Sequence, residues 1–272
     1  MEKFQLSFSE EEKEFSEKIK QFRKRIFEKK PVIHHITNFV TMYQCARITA
    51  FLGAAPIMAF SEEETAQVTA KSDALVINTG TLNNEVIRSI PKSLEYANKH
   101  HIPVVLDPVG ARLSQYRFDF IHSLLDHFHF DVIRCNGAEL LGLHGQAIYS
   151  KGIDGAVSDL NIPQAASDLA KKYHCTIACT GPEDHISDGT RSVALNRGCA
   201  QLPRLVGTGC MVNSLIASYL PAADTAFDGA AAGILTMCLA GEKAAAQLSH
   251  PDQLGTFETR LMDEISRLYI NG

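Results

Sequence analysis

The sequence predicts a three-layer α/β/α fold with a mainly parallel sheet. After Pro31, short runs rich in β-branched residues alternate with segments of helical periodicity, and this alternation is typical of βαβ units. The chain has 272 residues, which suits one large α/β domain. It contains no long linker, no repeat and no low-complexity segment. We therefore expect residues 1–272 to form a single domain.

The first 30 residues precede this alternation. Residues 9–30 are highly charged and carry apolar side chains at helical spacing, namely Phe15, Ile19, Phe22 and Ile26. This pattern predicts an amphipathic N-terminal helix, whose apolar stripe packs on this chain or on a neighbouring one.

Short apolar runs predict the parallel strands, and helical segments separate them. The strands are expected at residues 32–36, 55–60, 74–78, 103–107, 131–135 and 175–180. The helices are expected near residues 40–52, 61–71, 83–100, 116–129, 137–144 and 161–173. Residues 184–195 predict a hairpin, because two short β segments flank Asp188-Gly189. Residues 207–270 are expected to form three helices.

The composition argues against several classes of protein. The net charge is −5, which gives no electrostatic basis for binding nucleic acid or an anionic membrane. No apolar run reaches the roughly 18 to 20 residues of a membrane span, and the acidic start is unlike a signal peptide. We therefore expect a cytoplasmic protein. The seven cysteines include no CxxC pair, and no disulfide framework is expected in that compartment.

The candidate site residues follow the predicted strands at their carboxyl ends, where open parallel sheets bind ligands. They are Thr37, Asn38, Met58, Asn78, Gly80, Asp107, Asn136, Glu139, Thr180 and Gly181. This distribution predicts one ligand site along that edge of the sheet.

The segment 206–214, VGTGCMVNS, places two glycines and Cys210 at a helix start. Glycines let the backbone approach a ligand closely, and the unpaired N–H groups of a helix start attract anions. The segment therefore suits the charge on a phosphoryl group in transfer, and we expect a lowered pKa for the thiol of Cys210. The alternative is a helix start that merely holds a small buried residue.

Two carboxylates are candidates for holding Mg²⁺, which prefers oxygen ligands and keeps several waters. Asp107 ends a strand before a Pro/Gly turn in VVLDPVGA, and Glu139 follows Asn136 by three residues in NGAEL. The alternatives are a surface turn and a helix cap, since Asn136 is a plausible N-cap. Thr180, at the end of its strand, either binds a nucleotide phosphate or satisfies its own turn. No GxxxxGK[ST] motif and no GxGxxG after a strand is present, so a P-loop enzyme is excluded and a dinucleotide fold is disfavoured.

Seven segments, in this order and spacing, resemble the hydroxyethylthiazole kinase family of the ribokinase-like superfamily. They are HHITNFVT, LGAAPIMAF, LVINTGTL, VVLDPVGA, IRCNGAEL, ACTGPEDHISDG and GTGCMVNS. The resemblance implies phosphorylation of the hydroxyl of 4-methyl-5-(2-hydroxyethyl)thiazole, with ATP as co-substrate and Mg²⁺ as cofactor. It also implies a homotrimer with thiazole sites at subunit boundaries.

The resemblance further implies roles for individual residues. The positions that match the thiazole site are Asn38, Met58, Gly80 and Gly207. The positions that match ATP contacts are Arg117 and Thr180, and those that match the Mg²⁺ and phosphate site are Asp107 and Glu139. The backbone of Gly207 and Gly209 is expected to stabilise the transferring phosphoryl group. Cys210 stands where most of the superfamily has an aspartate general base, and is expected to accept the alcohol proton.

Three other functions stay open at this point. Val206 and Arg47 depart from the family pattern near the site, which leaves room for a kinase of another hydroxymethyl heterocycle, such as a pyrimidine or pyridoxal. A cysteine hydrolase needs a base beside Cys210, and His34 or His35 is the nearest candidate. Neighbouring strand residues point to opposite faces, so one of these histidines is expected in the core. A catalytically idle binding protein is the third alternative.

Overall fold

The computed structural model describes residues 9–144 and 161–267. Its strands are β1 (Val32–Ile36), β2 (Ala55–Met58), β3 (Ala74–Asn78), β4 (Val104–Asp107), β5 (Val132–Asn136), β6 (Thr176–Thr180), β7 (Asp184–Ser187) and β8 (Ser192–Leu195). They form one sheet in the order β2-β1-β3-β4-β5-β6-β7-β8. Neighbours from β2 to β6 pair in parallel, and the predicted hairpin adds β7 and β8 antiparallel to them.

Helices cover both faces of this sheet. They are α1 (Glu10–Lys29), α2 (Met42–Leu52), α3 (Thr65–Thr69), α4 (Asn84–His100), α5 (Gln115–His127), α6 (Gly137–Leu143), α7 (Ile162–Tyr173), α8 (Thr208–Tyr219), α9 (Ala226–Ala245) and α10 (Leu254–Arg267). Helices α1, α2, α8, α9 and α10 share one buried core with the sheet. The opposite core holds α4, α5, α6 and α7. The predicted three-layer α/β/α class is therefore confirmed.

Strand alternation assigns each buried side chain to one of the two cores. On β3, Val76 lies in the core beneath α8, whereas Leu75 and Ile77 lie in the core beneath α4. Strands buried on both faces need apolar residues at every position, which explains why the strand runs of the sequence are continuous rather than alternating.

The N-terminal helix packs on its own chain. Its stripe of Phe15, Ile19, Phe22 and Ile26 is buried in the core with α8 and α9. The helix begins with a capping box between Ser9 and Glu12. The predicted amphipathic helix is thus present, and its stripe completes a core.

The strand predicted at residues 55–60 and the helix predicted at 61–71 are both shorter in the structure. Strand β2 ends at Met58 instead of residue 60, because the carbonyl of Ala59 pairs with the ring of His34 at 2.9 Å rather than with a strand. Helix α3 covers only Thr65–Thr69, since residues 61–64 form a turn that the Glu64 N–H closes on the Ser61 carbonyl. In the described ranges, no helix has both the length and the apolar character that crossing a bilayer requires.

Candidate active site

Four predicted site residues lie side by side at the carboxyl edge of the sheet. Met58 ends β2, Asn38 follows β1 by two residues, Gly80 follows β3 by two residues, and Asp107 ends β4. Because these strands are neighbours, their ends meet, as the sequence predicts. A Cβ at Gly80 would lie 2.8 Å from the Cβ of Asn38, so only glycine permits this approach of the two turns.

Two carboxamides connect Cys210 to this edge. Asn38 Nδ2 lies 3.3 Å and Asn78 Nδ2 lies 3.4 Å from the sulfur of Cys210. Asn38 also donates to Asn78 Oδ1 at 3.1 Å, and that oxygen accepts the N–H of Gly80 at 2.8 Å. The cysteine at the start of α8 is therefore held against the turns that follow β1 and β3.

Asp107 is the buried centre of the site. Its Oδ2 accepts hydrogen bonds from Asn78 Nδ2 and Asn213 Nδ2, both at 2.6 Å. Its Oδ1 is also buried and has no hydrogen-bond partner among the described residues. Burial raises the pKa of Asp107 to about 7, and the nearby Arg134 acts in the opposite direction. One oxygen is thus fixed by amides, and the other is left for a ligand.

The pKa of Cys210 is raised, which corrects the expectation of a lowered value. Burial is the largest cause and the carboxylate of Asp107 adds to it, whereas hydrogen bonds from Thr41 and Asn38 and the charge of Arg134 act against it. The sequence displays the helix start and its glycines, but it does not display the depth of the thiol or its proximity to a carboxylate.

The glycine turn has the geometry that an anion site needs. Gly207 has φ +91° and a Cβ there would lie 2.5 Å from Thr41 Cγ2, so this position requires glycine. The first N–H that bonds within α8 is that of Met211, to the Gly207 carbonyl at 2.9 Å. The N–H groups of residues 208–210 precede it and have no partner within the helix. They are the helix start at which the sequence predicts an anion site.

Arg134 is a site residue that the sequence analysis missed. It projects from β5 and its Nη1 lies 3.9 Å from Asp107 Oδ1. It also donates to Thr180 Oγ1, and a Cβ at Gly209 would run into its guanidinium. A cation therefore stands between Asp107, Thr180 and the start of α8. The available signal was a charged residue inside the predicted strand DVIRC, directly after two apolar residues.

Asn213 and Thr41 were also missed. Asn213 bonds both Asp107 Oδ2 and the Gly209 carbonyl, the latter at 3.1 Å. Thr41 donates through N–H and hydroxyl to Asn38 Oδ1, at 3.0 and 3.1 Å. Asn213 lies within the segment VGTGCMVNS, one helical turn beyond Gly209, and this spacing was the signal that could have identified it.

Glu139 is a helix cap that also belongs to the site. It forms a capping box with Asn136, in which each side chain accepts the other residue's N–H at 2.9 Å. The alternative noted for Asn136 is therefore confirmed. Burial raises the pKa of Glu139, and the neighbouring Arg134 opposes the shift. The same carboxylate raises the pKa of Asp107, so the two predicted Mg²⁺ residues lie within electrostatic reach of each other.

Arg117 lies in the first turn of α5, after β4. Its guanidinium donates to the carbonyls of Thr79, of Gly80 at 2.6 Å and of Val109 at 3.2 Å. Those carbonyls follow β3 and β4, so Arg117 secures the turns beside Asp107. Its contact with ATP stays a prediction.

A cavity of about 660 Å³ adjoins the start of α8. Its polar lining includes Arg134, Thr180 and Gly209. Its apolar lining includes Leu202, Pro203, Val212, Ile234 and Met237. This volume is typical of small-molecule and cofactor sites. The cavity pairs a cation and a helix start with apolar walls.

The histidines of β1 are structural. His34 bonds Thr69 Oγ1 and the Ala59 carbonyl, each at 2.9 Å, and His35 bonds the Ile33 carbonyl at 3.0 Å and Ser214 Oγ at 3.1 Å. Both are fully buried, and burial lowers the pKa of each to about 4. Both ring nitrogens of each residue have partners other than Cys210, so a Cys–His hydrolase pair is not formed here.

The family model for the hydroxyethylthiazole kinase family matches residues 23–271. The chain belongs to this family. The hydroxyethylthiazole kinase of Alkaliphilus metalliredigens is 43% identical over 88% of each chain, and that of Clostridium beijerinckii is 41% identical over 95% of each. The solved structure of a hydroxyethylthiazole kinase protein from Pyrococcus horikoshii is 34% identical, covers 92% of this chain and 93% of its own, and superposes with a TM-score of 0.82.

More distant structures share only the fold with this family member. A pyridoxal kinase from Bacillus subtilis is 15% identical with a TM-score of 0.58, and a phosphomethylpyrimidine kinase from Clostridium difficile is 13% identical with a TM-score of 0.52. The resemblance to the thiazole kinase family is therefore confirmed.

The two departures from the family pattern lie outside the contacts of Cys210. The guanidinium of Arg47 stacks over the rings of Tyr43 and Phe51, 5.5 and 5.3 Å from their centroids, and Val206 is exposed. Neither side chain is among the partners of Cys210, Asp107 or Asn38.

Proposed function

We propose that this protein transfers the γ-phosphoryl group of ATP to the hydroxyl of 4-methyl-5-(2-hydroxyethyl)thiazole. One observation carries the proposal: a cavity of about 660 Å³, lined by Arg134 and Gly209, and the Asn38–Asn78–Cys210 cluster adjoin the same helix start, that of α8. The family to which the chain belongs supports the choice of substrate. Transfer of this kind depends mainly on positioning and on stabilisation of charge.

The cavity receives the nucleotide, with its phosphates beside Arg134, Thr180 and Gly209. The guanidinium of Arg134 neutralises phosphate charge. The N–H groups of residues 208–210 stabilise the oxygens of the phosphoryl group in transfer. The apolar walls around Leu202 and Met237 take the base.

Asp107 and Glu139 are suited to holding Mg²⁺ through water. The buried Oδ1 of Asp107 lacks a hydrogen-bond partner among the described residues, and a hydrated cation would satisfy it. Residues 9–144 and 161–267 hold no group of three or more His, Cys, Asp or Glu that could bind a metal. A site of two carboxylates, completed by water and phosphate oxygens, is the usual arrangement for Mg²⁺. Bound there, Mg²⁺ supplies charge neutralisation on the nucleotide phosphates.

The thiazole alcohol lies at the opposite side of Asp107, among Asn38, Met58, Gly80 and Gly207, with Cys210 beside Asn38. The hydroxyl points to the sulfur of Cys210, which accepts its proton when it is a thiolate. The raised pKa keeps this thiolate scarce at neutral pH, but a loose transition state demands little of the base because the proton leaves late. The rate then depends chiefly on the helix start and on Arg134.

Product formation tests this function. With MgATP and the thiazole alcohol, ADP release should match the amount of phosphorylated thiazole seen by mass spectrometry. The kcat/KM for the thiazole alcohol should exceed the kcat/KM for a hydroxymethylpyrimidine and for pyridoxal, which are the alternative substrates. Faster turnover of the pyrimidine would overturn the choice of substrate. A thermal shift with the alcohol but no ADP would instead identify a binding protein.

We also propose that the protein is a homotrimer and that it lies in the cytoplasm. Exposed apolar side chains lie beside the site on α2, on the turn before α2 and on the edge strand β2. We call them the α2 patch, and they are Phe39, Val40, Tyr43, Phe51 and Ile57. A patch of this kind marks a protein contact, and a second copy seated on it would place the thiazole site at a subunit boundary. All seven cysteines are free, which suits a reducing compartment.

A further inference from the structure

One wall of the nucleotide cavity is an irregular segment between the hairpin and α8. Residues 196–200, together with Leu202 and Pro203, line the cavity there. Apart from a short 3₁₀ turn at Leu202–Arg204, this wall has no regular secondary structure. Its position therefore depends on contacts with other elements.

The strongest of these contacts comes from Glu242 in the last turn of α9. Its Oε1 accepts the N–H of Gly198 at 2.8 Å, and its Oε2 accepts the guanidinium of Arg197. The side chains of Arg197 and Glu242 are 8% and 15% exposed, so water screens this ion pair little. Gly198 has φ +120°, so the wall follows a backbone path that glycine adopts without strain. Glu242 is not among the cavity-lining residues and acts through the wall.

Two further contacts connect this wall to the start of α8. A Cβ at Gly241, next to Glu242, would lie 2.9 Å from Leu202 Cδ1, so α9 and the 3₁₀ turn touch closely. Thr208 Oγ1 donates to the carbonyls of Leu202 at 2.7 Å and Leu205 at 3.1 Å. Thr208 is the first residue of α8, so the wall and the anion-binding turn are joined.

We propose that Glu242 is a positioning residue for the nucleotide. It bonds Arg197 and Gly198, and we call these three residues the clamp. The clamp fixes the cavity wall, and the wall positions the nucleotide. This role rests on the proposed function of the cavity. Removing the carboxylate charge takes away the counter-charge that Glu242 supplies to the poorly screened Arg197, so the wall shifts and the nucleotide binds less well. The thiazole side, built from Asn38, Asn78 and Cys210, has no contact with the clamp and keeps its affinity.

Glu242→Gln tests the clamp, because it keeps the shape and removes the charge. We expect the KM for ATP and the Kd of a non-hydrolysable ATP analogue, measured by calorimetry, to rise about tenfold, since small misplacements cost that much or more. The KM for the thiazole alcohol should stay within about twofold of wild type. The matched control is Asp228→Asn on the same helix, whose carboxylate pairs with Lys18 at 3.0 Å and does not line the cavity; its Kd for the analogue should be unchanged.

Arg197→Lys is the second variant, and it tests the role of Glu242 if Glu242→Gln does not fold. It keeps the charge but loses the planar fork, so an intermediate rise in the Kd of the analogue is expected. Cys199 gives an independent readout, because it lines the cavity and is only partly buried. Peptide mapping after maleimide treatment should find that ATP protects Cys199 in wild type and protects it less in either variant.

The outcomes separate the two claims. Unchanged Kd and unchanged protection of Cys199 in folded variants would overturn the role of Glu242 and leave the proposed function intact. A parallel rise in both the ATP and the thiazole KM would also overturn it, because that result indicates a general structural effect. A wild-type protein that binds no ATP analogue would overturn the proposed function and this role with it.

Discussion

Asp107 and Cys210 are constrained by the same carboxamide. Asn78 Nδ2 lies 2.6 Å from Asp107 Oδ2 and 3.4 Å from the sulfur of Cys210. The carboxylate raises the pKa of the thiol, and burial raises the pKa of both groups. Two acidic groups that cannot both ionise easily are thus packed together, with Arg134 as the compensating cation. At this scale the charges of the site suit the proposed Mg²⁺ and phosphate more than a strong general base.

The proton-accepting role of Cys210 has a pH signature. If the thiolate accepts the proton, kcat should rise from about pH 7 to about pH 9, because the raised pKa keeps the thiolate scarce at neutral pH. Cys210→Ala should lower kcat by about 10- to 100-fold, at the lower end of general-base effects, and its kcat should not rise over this range. The measurement is the pH dependence of kcat with saturating MgATP and thiazole alcohol. An unchanged kcat in Cys210→Ala would show that Cys210 is not the base.

Because His34 and His35 are buried, the protein should lose stability in acid. Burial lowers the pKa of His34 and of His35 to about 4, so between about pH 6.5 and pH 4 the unfolded chain binds more protons than the folded one. Stability therefore falls as the pH falls through this window, by on the order of 3 kcal/mol per histidine at its lower end. Urea unfolding at a series of pH values measures the slope.

His35→Gln provides the comparison for that slope. It removes one titrating group, so its unfolding free energy should depend less steeply on pH between about 6.5 and 4 than that of wild type. The buried carboxyl groups of raised pKa act in the opposite direction, but both proteins contain them. Identical slopes in wild type and His35→Gln would contradict the assignment.

Helix α8 is the element on which the site depends. Its first turn supplies the N–H groups of residues 208–210, and its second turn supplies Asn213 to Asp107. The helix is buried along nearly its whole length between the sheet and α9, which fixes its direction toward the cavity. Gly233 of α9 lets the two helices touch, since a Cβ there would lie 2.6 Å from Ile216 Cγ1.

The two glycines of this turn should respond differently to alanine. Gly207→Ala meets Thr41 and a positive φ, so it should lower the free energy of unfolding by about 1–3 kcal/mol and lower kcat as well. Gly209→Ala meets the flexible end of Arg134, so it should fold with little loss of stability and mainly raise the KM for ATP. Thermal unfolding and steady-state kinetics of both variants test this difference. Equal stability losses would contradict it.

At the level of elements, the periodicity of the sequence predicted most of the helices and strands. Continuous apolar runs identified the strands along the chain, and the GTGC turn identified the start of α8. The side chains that complete the site were found less well, because Arg134 and Asn213 reach Asp107 from elements that are distant from it in sequence. The partners of Arg117 are main-chain carbonyls that no motif displays, and its contact with ATP stays a prediction.

The whole molecule presents its site beside an uncovered surface. The α2 patch leaves Tyr43 70% and Val40 63% exposed, although both lie within a few residues of Asn38. An apolar surface that borders a buried site is explained if another copy of the chain covers it. In the proposed trimer, the partner would close the thiazole side of the site.

Assembly gives a direct prediction. The protein should have the mass of a trimer by light scattering. Tyr43→Glu places a charge in the α2 patch and should shift the mass toward monomer, with a raised KM for the thiazole alcohol. Lys99→Glu, exposed on α4, serves as the control and should remain trimeric. A monomeric wild-type protein with full activity would contradict a site at a subunit boundary.

We propose that phosphoryl transfer occurs at the junction of Asp107, Cys210 and the start of α8. A crystal structure with the thiazole alcohol, Mg²⁺ and a non-hydrolysable ATP analogue tests it most directly, through the distance from Cys210 Sγ to the alcohol oxygen. We predict about 3–3.5 Å for that distance, the range of a reacting pair, with the terminal phosphate over residues 208–210 and beside Arg134. An alcohol oxygen far from Cys210, or a triphosphate outside the cavity, would contradict the account.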